Sequence, residues 1–295
     1  LGTWSWGTGF AGGDQVFGNH LDAVALKPVF DAAIAAGLNL WDTAAVYGMG
    51  SSEALLGGFV KRLPRADVIL STKFTPQIAD AQAPNPVADM LAQSCERLCT
   101  DYIDIYWIHN PTQVNHWTQY LLPLLRAGKV KRVGVSNHNL AEIKQVNASL
   151  AEAGFAISAV QNHYSLLYRS SEQAGILDYC KQNGITFFAY MVLEQGALSG
   201  KYNVGHPLPE GSGRAATYNH VLPQLGKLTD AMREIGQGKN ASVAQIAIAW
   251  AIAKGTLPVI GVTKAGQVLD AVAASRLSLS AQDITPQSVT LELIE

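Results

Sequence analysis

The sequence predicts an α/β protein, a (β/α)8 TIM barrel with a long loop after its seventh strand and extra helices toward the C-terminus. The 295-residue chain is long enough for one large domain, and 48% of its residues are hydrophobic while 15% are charged. Short apolar runs typical of buried parallel strands alternate with helical patterns, and eight such units follow one another. Eight units in roughly 250–300 residues favour a barrel, and we predict a single domain over residues 1–295.

The eight predicted strands are mostly continuous apolar runs bounded by glycine or polar residues. The first is a glycine-flanked opening segment, and the second ends next to the carboxylate of Asp42. Lys73, His109 and Tyr190 follow three later strands. The predicted strands cover residues 1–7, 37–41, 68–72, 102–108, 130–135, 157–161, 185–189 and 256–260.

Helices are predicted between the strands, where apolar residues recur at three- and four-residue spacing. Gly37 ends the first helix, Ser51 is the expected N-cap of the second, and Pro86 lies in the first turn of the third. Residues 12–18 are predicted to form a loop, and residues 194–218 a longer loop that could cover a ligand as a lid. The predicted helices cover residues 25–36, 51–57, 86–98, 120–126, 140–153, 174–183, 222–235, 242–254 and 267–274.

A doubly wound open sheet is the alternative fold. Such a sheet usually carries a glycine-rich phosphate turn after its first strand, and no G-x-G-x-x-G pattern occurs in this sequence. The barrel is therefore the preferred prediction.

Charge and composition exclude several classes of partner. The net charge is −2 and like charges do not cluster, so we expect neither nucleic acid nor membrane as a partner. No apolar run approaches the roughly 18–20 residues of a membrane span. Cys95, Cys99 and Cys180 do not suggest a disulfide framework, and a cytoplasmic location fits them best. The sequence leaves the oligomeric state open.

Three consecutive predicted strands end at Asp42, Lys73 and His109, and Tyr47 follows shortly after the first of them. In a barrel, all of these strand ends face the same opening. A phenol has an ordinary pKa of about 10, and a neighbouring ammonium such as Lys73 favours release of its proton. Asp42 could hold Lys73, and His109 could orient a substrate oxygen. The set predicts a site that polarises and protonates a carbonyl oxygen.

The same site needs a source of hydride for the carbonyl carbon. The histidines show no ligand-like spacing with acids or cysteines, so we predict no metal and expect an organic hydride carrier. Ser136, Asn137 and Gln161 offer polar groups for a carboxamide, and Tyr190 offers a ring for stacking. The free N–H groups of the turn at residues 261–264 could bind a phosphate at the start of the last helix.

These residues fall in motifs that together resemble the aldo-keto reductases, most closely the bacterial and Shaker-channel-β-like branches. The resemblance implies a (β/α)8 barrel that binds NADP(H), with Tyr47 as general acid and Asp42, Lys73 and His109 as its partners. The motifs are Leu1-Gly2-Thr3-Trp4, Asp42-Thr43-Ala44-x-x-Tyr47-Gly48, Ser71-Thr72-Lys73, Ile108-His109-Asn110-Pro111, Gly134-Val135-Ser136-Asn137, Gln161-Asn162-x-Tyr164-Ser165, Gly200-Lys201-Tyr202 and Pro258-Val259-Ile260-Gly261.

The resemblance also implies a set of cofactor-binding residues, and some positions depart from the family pattern. Met191 stands where a serine is common, and Gln267 and Ala271 stand where arginine and asparagine are common. We therefore expect NADP(H) to be preferred, with NAD(H) possible. The implied contacts are Gly2, Thr3, Trp4, Asp42, Ser136, Asn137, Gln161, Tyr190, Met191, Leu193, Gly196, Leu198, Lys201, Ile260, Gly261, Val262, Thr263, Lys264 and Gln267.

The predicted function is NADPH-dependent reduction of a small aldehyde or ketone to an alcohol. One alternative is an NADPH-binding regulatory subunit with little turnover. Another is an aldolase- or isomerase-type barrel, which would not need Tyr47. No motif identifies the substrate, because specificity lies in loops.

Overall fold

A curled sheet of seven parallel strands is the centre of the protein in this computed structural model, which describes residues 1–284. Each strand pairs with the next in chain order, as the predicted alternation of strands and helices requires. Residues 285–295 of the predicted domain lie outside the described range. The strands are β1 (Leu40–Asp42), β2 (Ile69–Phe74), β3 (Ile103–Ile108), β4 (Val130–Ser136), β5 (Ala159–His163), β6 (Thr186–Tyr190) and β7 (Leu257–Pro258).

Helices connect the strands, and side-chain caps fix where several of them begin. Asp22, Asn85 and Asn139 each accept a hydrogen bond from a backbone N–H of the first helical turn. No helix within residues 1–284 has both the length and the apolar character needed to cross a membrane. The α-helices are α1 (Gly13–Phe17), α2 (Ala23–Ala35), α3 (Ser51–Val60), α4 (Pro86–Arg97), α5 (Val114–Arg126), α6 (Leu140–Ala151), α7 (Ser170–Gln173), α8 (Ile176–Gln182), α9 (Gly213–Tyr218), α10 (Leu222–Gln237), α11 (Val243–Ala253), α12 (Ala265–Ser275) and α13 (Ala281–Ile284).

Apolar side chains are buried on both faces of the sheet. On the helix side, the rings of Phe30 and Trp41 stack 5.1 Å apart, centroid to centroid. On the other face, the ring of Trp107 packs edge-on against Phe188 at 5.1 Å. Gly134 on β4 makes room for Trp107, since a Cβ at Gly134 would lie 2.4 Å from that ring. Burial on both faces explains why the strands read as continuous apolar runs.

The predicted strand over residues 1–7 is wrong in extent. Only Gly2 pairs with the sheet, through isolated parallel bridges to Asp42 and Gly261, and the chain then turns. The turn lets Trp6 enter the core, where it is fully buried and its indole N–H donates to the carbonyl of Val262 at 2.7 Å. The glycine-flanked pattern predicted an extended backbone here. The burial of this large ring favours a turn instead.

Short helices occupy segments that the sequence predicted as loops. Helix α1 lies within residues 12–18, and the 194–218 segment contains a 3-10 helix, Glu194–Ser199, as well as α9. The helix predicted at residues 174–183 is present as α8, and the short helix α7, which was not predicted, precedes it. The cap of α3 is also different, because Gly50 (φ +92°) precedes the helix and the hydroxyl of Ser51 bonds to the backbone of Thr8 instead.

Candidate active site

One edge of the sheet collects polar side chains, and we call this edge the mouth. It is formed by the carboxyl ends of the parallel strands, as the sequence predicted. Several predicted strand ends lie slightly further along than expected, so these side chains are held by strand pairing rather than by loops. The mouth contains Asp42 at the end of β1, Lys73 within β2, His109 after β3, Ser136 at the end of β4, Gln161 within β5 and Tyr190 at the end of β6.

A buried ion pair joins β1 and β2. The Nζ of Lys73 lies 2.5 Å from one carboxylate oxygen of Asp42 and also donates to the carbonyl of Thr43 at 2.8 Å. The other oxygen of Asp42 accepts from the hydroxyl of Ser71 at 2.7 Å and from the amide of Gln161 at 3.1 Å. Lys73 is fully buried, so this pairing compensates a charge that would otherwise be very unfavourable.

Tyr47 is held above this ion pair by three neighbouring side chains. The Nζ of Lys73 lies 5.2 Å from the centroid of the Tyr47 ring. The ring of Trp4 stacks on Tyr47 with centroids 5.8 Å apart, and the ring of His109 approaches at 6.0 Å and 78°. Gly48 follows with φ +58°, and a Cβ there would lie 2.4 Å from the carbonyl oxygen of Thr8. The turn that presents Tyr47 therefore requires glycine.

Electrostatics keep the phenol protonated and the imidazole neutral at neutral pH. Burial, with the charge of Asp42 as a second cause, raises the pKa of Tyr47 well above its ordinary value. Burial lowers the pKa of Lys73, although Asp42 opposes this. Burial and the charge of Lys73 lower the pKa of His109 to about 3. The pKa of the phenol is therefore not lowered as expected from Lys73, because burial and, after it, the charge of Asp42 raise it.

Two side chains to which the motifs assigned no role, one in β2 and one directly after it, support the site. The hydroxyl of Ser71 bonds to Asp42, and the hydroxyl of Thr75 lies 2.8 Å from Nδ1 of His109. Ser71, Lys73 and Thr75 are spaced by two residues, and in extended chain this spacing places side chains on one face. This two-residue spacing could have predicted that Ser71 and Thr75 lie on the same face as Lys73.

The far side of the mouth links polar groups to an aromatic ring. The hydroxyl of Tyr190 donates to the side-chain oxygen of Asn137 at 2.6 Å, and the amide nitrogen of Asn137 donates to the carbonyl of His109 at 2.9 Å. Asn137 adopts φ +64°, a conformation that asparagine tolerates better than most residues. These bonds place Ser136, Asn137, Gln161 and Tyr190 together at three neighbouring strand ends.

The segment after β6 places some predicted cofactor-binding residues at the mouth and buries the side chain of another. Met191 and Leu193 lie directly after Tyr190 and are partly exposed, and Met191 has φ +61°. Leu198 is fully buried in a separate apolar cluster, so its side chain is not available to a ligand. Lys201 is exposed, with its Nζ 5.2 Å from the ring centroid of Tyr202.

In the turn before α12, two of the backbone N–H groups that the sequence predicted to be free are bonded within the chain. The side-chain oxygen of Gln267 accepts from the backbone N–H of Thr263 at 2.7 Å and from that of Lys264 at 3.0 Å. A phosphate at this turn would have to displace Gln267 or contact the side chains of Thr263 and Lys264 instead. The departure at Gln267 noted in the sequence therefore changes the local structure.

Other predicted contacts are backbone positions. Gly2 donates its N–H to the carbonyl of Ile260 at 2.8 Å, and Thr3 donates to the carbonyl of Asp42 at 2.9 Å. The side chains of Ile260 and Val262 are buried in the core. These residues would have to contact a cofactor through backbone atoms.

Glu194 lies outside every motif named above, and no role was predicted for it. This carboxylate is fully buried beside the mouth and accepts hydrogen bonds from His163, Ser165 and Tyr218. The one feature of the sequence that could have indicated a role for Glu194 is its position as an acidic residue in a turn that contains glycine and alanine.

Comparisons with known proteins agree with the recognition made from the motifs. The profile of the aldo/keto reductase family matches residues 1–286. A chloroplastic pyridoxal reductase from Arabidopsis thaliana is 32% identical over 292 residues, which cover 93% of this chain and 77% of that protein. The NADH-specific methylglyoxal reductase of Escherichia coli is 28% identical, with 100% of this chain and 94% of that protein covered.

A solved structure shows the same fold. The aldo/keto reductase from Klebsiella pneumoniae, in complex with NADP and acetate, superposes with a TM-score of 0.70 and 26% identity, covering 96% of this chain and 87% of that one. The family profile spans all of the described residues, and the motif-based recognition is confirmed. The chain belongs to the aldo/keto reductase family of NAD(P)H-dependent oxidoreductases.

Proposed function

We propose that this protein reduces an aldehyde or ketone to an alcohol with NADPH, and that Tyr47 donates the proton. The observation that carries the proposal is the placement of Tyr47 at the mouth. Its ring lies over the Lys73–Asp42 ion pair and against the ring of His109. A protonated phenol in this position is suited to act as general acid.

The neighbours of Tyr47 have distinct roles in this proposal. Lys73 stabilises the phenolate as the proton leaves, because its ammonium lies close to the ring. Asp42 holds Lys73 in place through their 2.5 Å contact. His109 is neutral and fixed by Thr75, and it orients the carbonyl oxygen of the substrate.

The donor set at the mouth fits a nicotinamide cofactor. The polar side chains at the ends of β4 and β5 suit a carboxamide, and Tyr190 offers a partly exposed ring. When bound, the cofactor supplies hydride to the carbonyl carbon. The residues that would hold it include Ser136, Asn137, Gln161 and Tyr190.

The side chains of Thr263 and Lys264 favour the 2′-phosphate of NADPH, and the Klebsiella relative was solved with NADP. The Escherichia coli relative is NADH-specific, and the Gln267 contact weakens the case for a phosphate at this turn. NADPH is therefore the proposed cofactor and NADH the alternative.

We infer that the sheet closes into a complete (β/α)8 barrel and that the chain is one domain. The bridges from Gly2 to Asp42 and Gly261 support closure, because they connect the β1 edge with the residues that follow β7. One buried cluster extends from Trp6 to Ala274, which supports a single core.

The test compares the wild-type enzyme with Tyr47→Phe in NADPH oxidation with a panel of aldehydes. We expect kcat to fall by about 10²–10⁴-fold, while NADPH binding measured by fluorescence stays within about twofold. Tyr102→Phe is the matched control. Tyr102 lies directly before β3, at the end of that strand away from His109, so this variant should keep full activity. Equal rates for wild type and Tyr47→Phe would refute the assignment. Tight binding with negligible wild-type turnover on every aldehyde would favour the regulatory alternative.

A further inference from the structure

The backbone directly after β6 holds a buried charge in a strained conformation. Glu194 is fully buried and has φ +45°. Met191 and Gln195 also adopt positive φ, although neither is glycine. Non-glycine residues rarely adopt this conformation, and carboxylates are rarely fully buried unless they are paired. Backbone of this kind persists only where the surroundings fix it, and it is concentrated at functional sites.

Three side chains, from the end of β5 and from α9, donate hydrogen bonds to this carboxylate. Nε2 of His163, at the end of β5, lies 2.7 Å from one oxygen, and the hydroxyl of Ser165 donates to the same oxygen. The hydroxyl of Tyr218, the last residue of α9, donates to the other oxygen at 2.6 Å. Burial and the carboxylate itself raise the pKa of Tyr218, so this phenol remains a donor.

One of these donors forms the support of the Tyr190 ring. The imidazole of His163 lies nearly parallel to the rings of Tyr168 and Tyr190, with centroid distances of 4.1 Å and 5.5 Å. Because Glu194 fixes His163, it also fixes one face against which Tyr190 rests. Tyr190 in turn is bonded to Asn137 at the mouth.

A second donor, Tyr218, holds the long segment beside the mouth in place. Tyr218 ends α9, so its bond to Glu194 joins the two ends of the 194–218 segment. Arg214, also in α9, donates to the carbonyl of Gln195 at 3.1 Å and reinforces this closure.

We propose that Glu194 is a positioning residue for the cofactor. Its single carboxylate couples the orientation of the Tyr190 ring to the closure of the 194–218 segment beside the mouth. This inference rests on the proposed function, in which Tyr190 faces the nicotinamide. The carboxylate accepts at both oxygens, since His163 and Ser165 share one and Tyr218 bonds to the other. Glutamine at this position would turn an N–H group toward at least one of them.

The experiment compares Glu194→Gln with the matched control Glu172→Gln. Glu172 also accepts from a tyrosine hydroxyl, that of Tyr164 at 2.9 Å, and from Lys254 at 2.7 Å, but it lies on α7 away from the mouth. Two quantities are measured: the Kd for NADPH by fluorescence, and the rate of trypsin cleavage after Arg214 in protein without cofactor.

For Glu194→Gln we expect the Kd for NADPH to rise about tenfold or more, since a buried donor or acceptor loses its partner. We expect cleavage in the 194–218 segment to accelerate several-fold. Glu172→Gln should match wild type in Kd, in cleavage rate and in activity. Because Glu172 is partly exposed whereas Glu194 is fully buried, the free energy of unfolding of both variants is measured as well, and a higher Kd that exceeds what their stability difference explains identifies positioning.

Two further variants test the support of the Tyr190 ring and the closure of the 194–218 segment separately. They also replace Glu194→Gln if that variant does not fold. His163→Phe keeps a ring against Tyr190 but removes the bond, and it should raise the Kd without accelerating cleavage. Tyr218→Phe should accelerate cleavage and raise the KM for NADPH more than it lowers kcat. The inference is overturned if Glu194→Gln matches Glu172→Gln in both measurements, or if both further variants behave as wild type. Failure of the wild type to bind NADPH or NADH would instead reject the proposed function, and this inference with it.

Discussion

Two buried carboxylates at the mouth are stabilised in different ways. Asp42 is paired with the ammonium of Lys73 and lies within a motif shared with the family. Glu194 instead accepts from the hydroxyls of Ser165 and Tyr218 and from the imidazole of His163. The first arrangement keeps a positive charge close to the ring of Tyr47. The second arrangement holds backbone and aromatic rings in place. In our proposals, Asp42 therefore serves the chemistry and Glu194 serves the positioning of the cofactor.

The largest expected effect comes from removing the cation beside Asp42. Lys73→Met leaves this carboxylate buried without its counter-charge, which lowers the free energy of unfolding by about 3–5 kcal/mol. It also removes the group proposed to stabilise the phenolate, so we expect kcat/KM to fall by about 10²–10⁴-fold. Chemical denaturation and NADPH oxidation measure the two effects.

The double variant Asp42→Asn/Lys73→Met sharpens this result. Both charges are then absent, so most of the lost stability should return while activity stays low. If activity returned together with stability, the ion pair would be structural only and the contrast with Glu194 would disappear.

A second prediction concerns His109, which lies on the Asp42 side of the mouth, and the dependence of the free energy of unfolding on pH. The folded pKa of His109 is about 3, whereas an unfolded imidazole titrates near 6.5. The unfolded state therefore binds more protons between these values, and the contribution of His109 to stability is complete above pH 6.5 and declines as the pH falls toward 3. The slope is at most about 1.4 kcal/mol per pH unit.

The measurement is the free energy of unfolding between pH 6.5 and pH 5, for wild type and His109→Asn. The variant should show the shallower decline. Burial also lowers the pKa of His138, which adds a slope of the same sign, so the difference between the two proteins is the quantity to compare. Parallel curves would show that His109 is not held neutral by the fold.

The smallest expected effect lies at the turn before α12. Gln267→Ala frees the N–H groups of Thr263 and Lys264, so we expect NADPH to bind about two- to fivefold more tightly while NADH binding is unchanged. Gln245→Ala is the matched control, because Gln245 makes the same kind of bond at the start of α11. Tighter binding of both cofactors, or of neither, would contradict the view that Gln267 competes with the phosphate.

The convergent site could be predicted because it follows from strand ends. Asp42, Lys73 and His109 close consecutive apolar runs, and parallel strands bring such ends to one edge whatever the helices between them do. Ser71 and Thr75 could also have been found, since they share the period-two face of Lys73.

Other features could not be predicted from local patterns. The path of residues 1–7 depends on the burial of Trp6 against the carbonyl of Val262, a contact between distant parts of the chain. The direction of the pKa shift of Tyr47 depends on its burial and on the nearby charge of Asp42. Neither quantity is contained in a motif.

The sequence by itself determined the order of the strands and helices, the family, and the acidic, basic and aromatic groups that meet at the mouth. These are properties of periodicity and strand endings, which act locally. Only the tertiary structure decided which buried charges are paired with which donors. Glu194 illustrates the reason, because its partners His163, Ser165 and Tyr218 are distant in sequence and meet only when β5, β6 and α9 are in place.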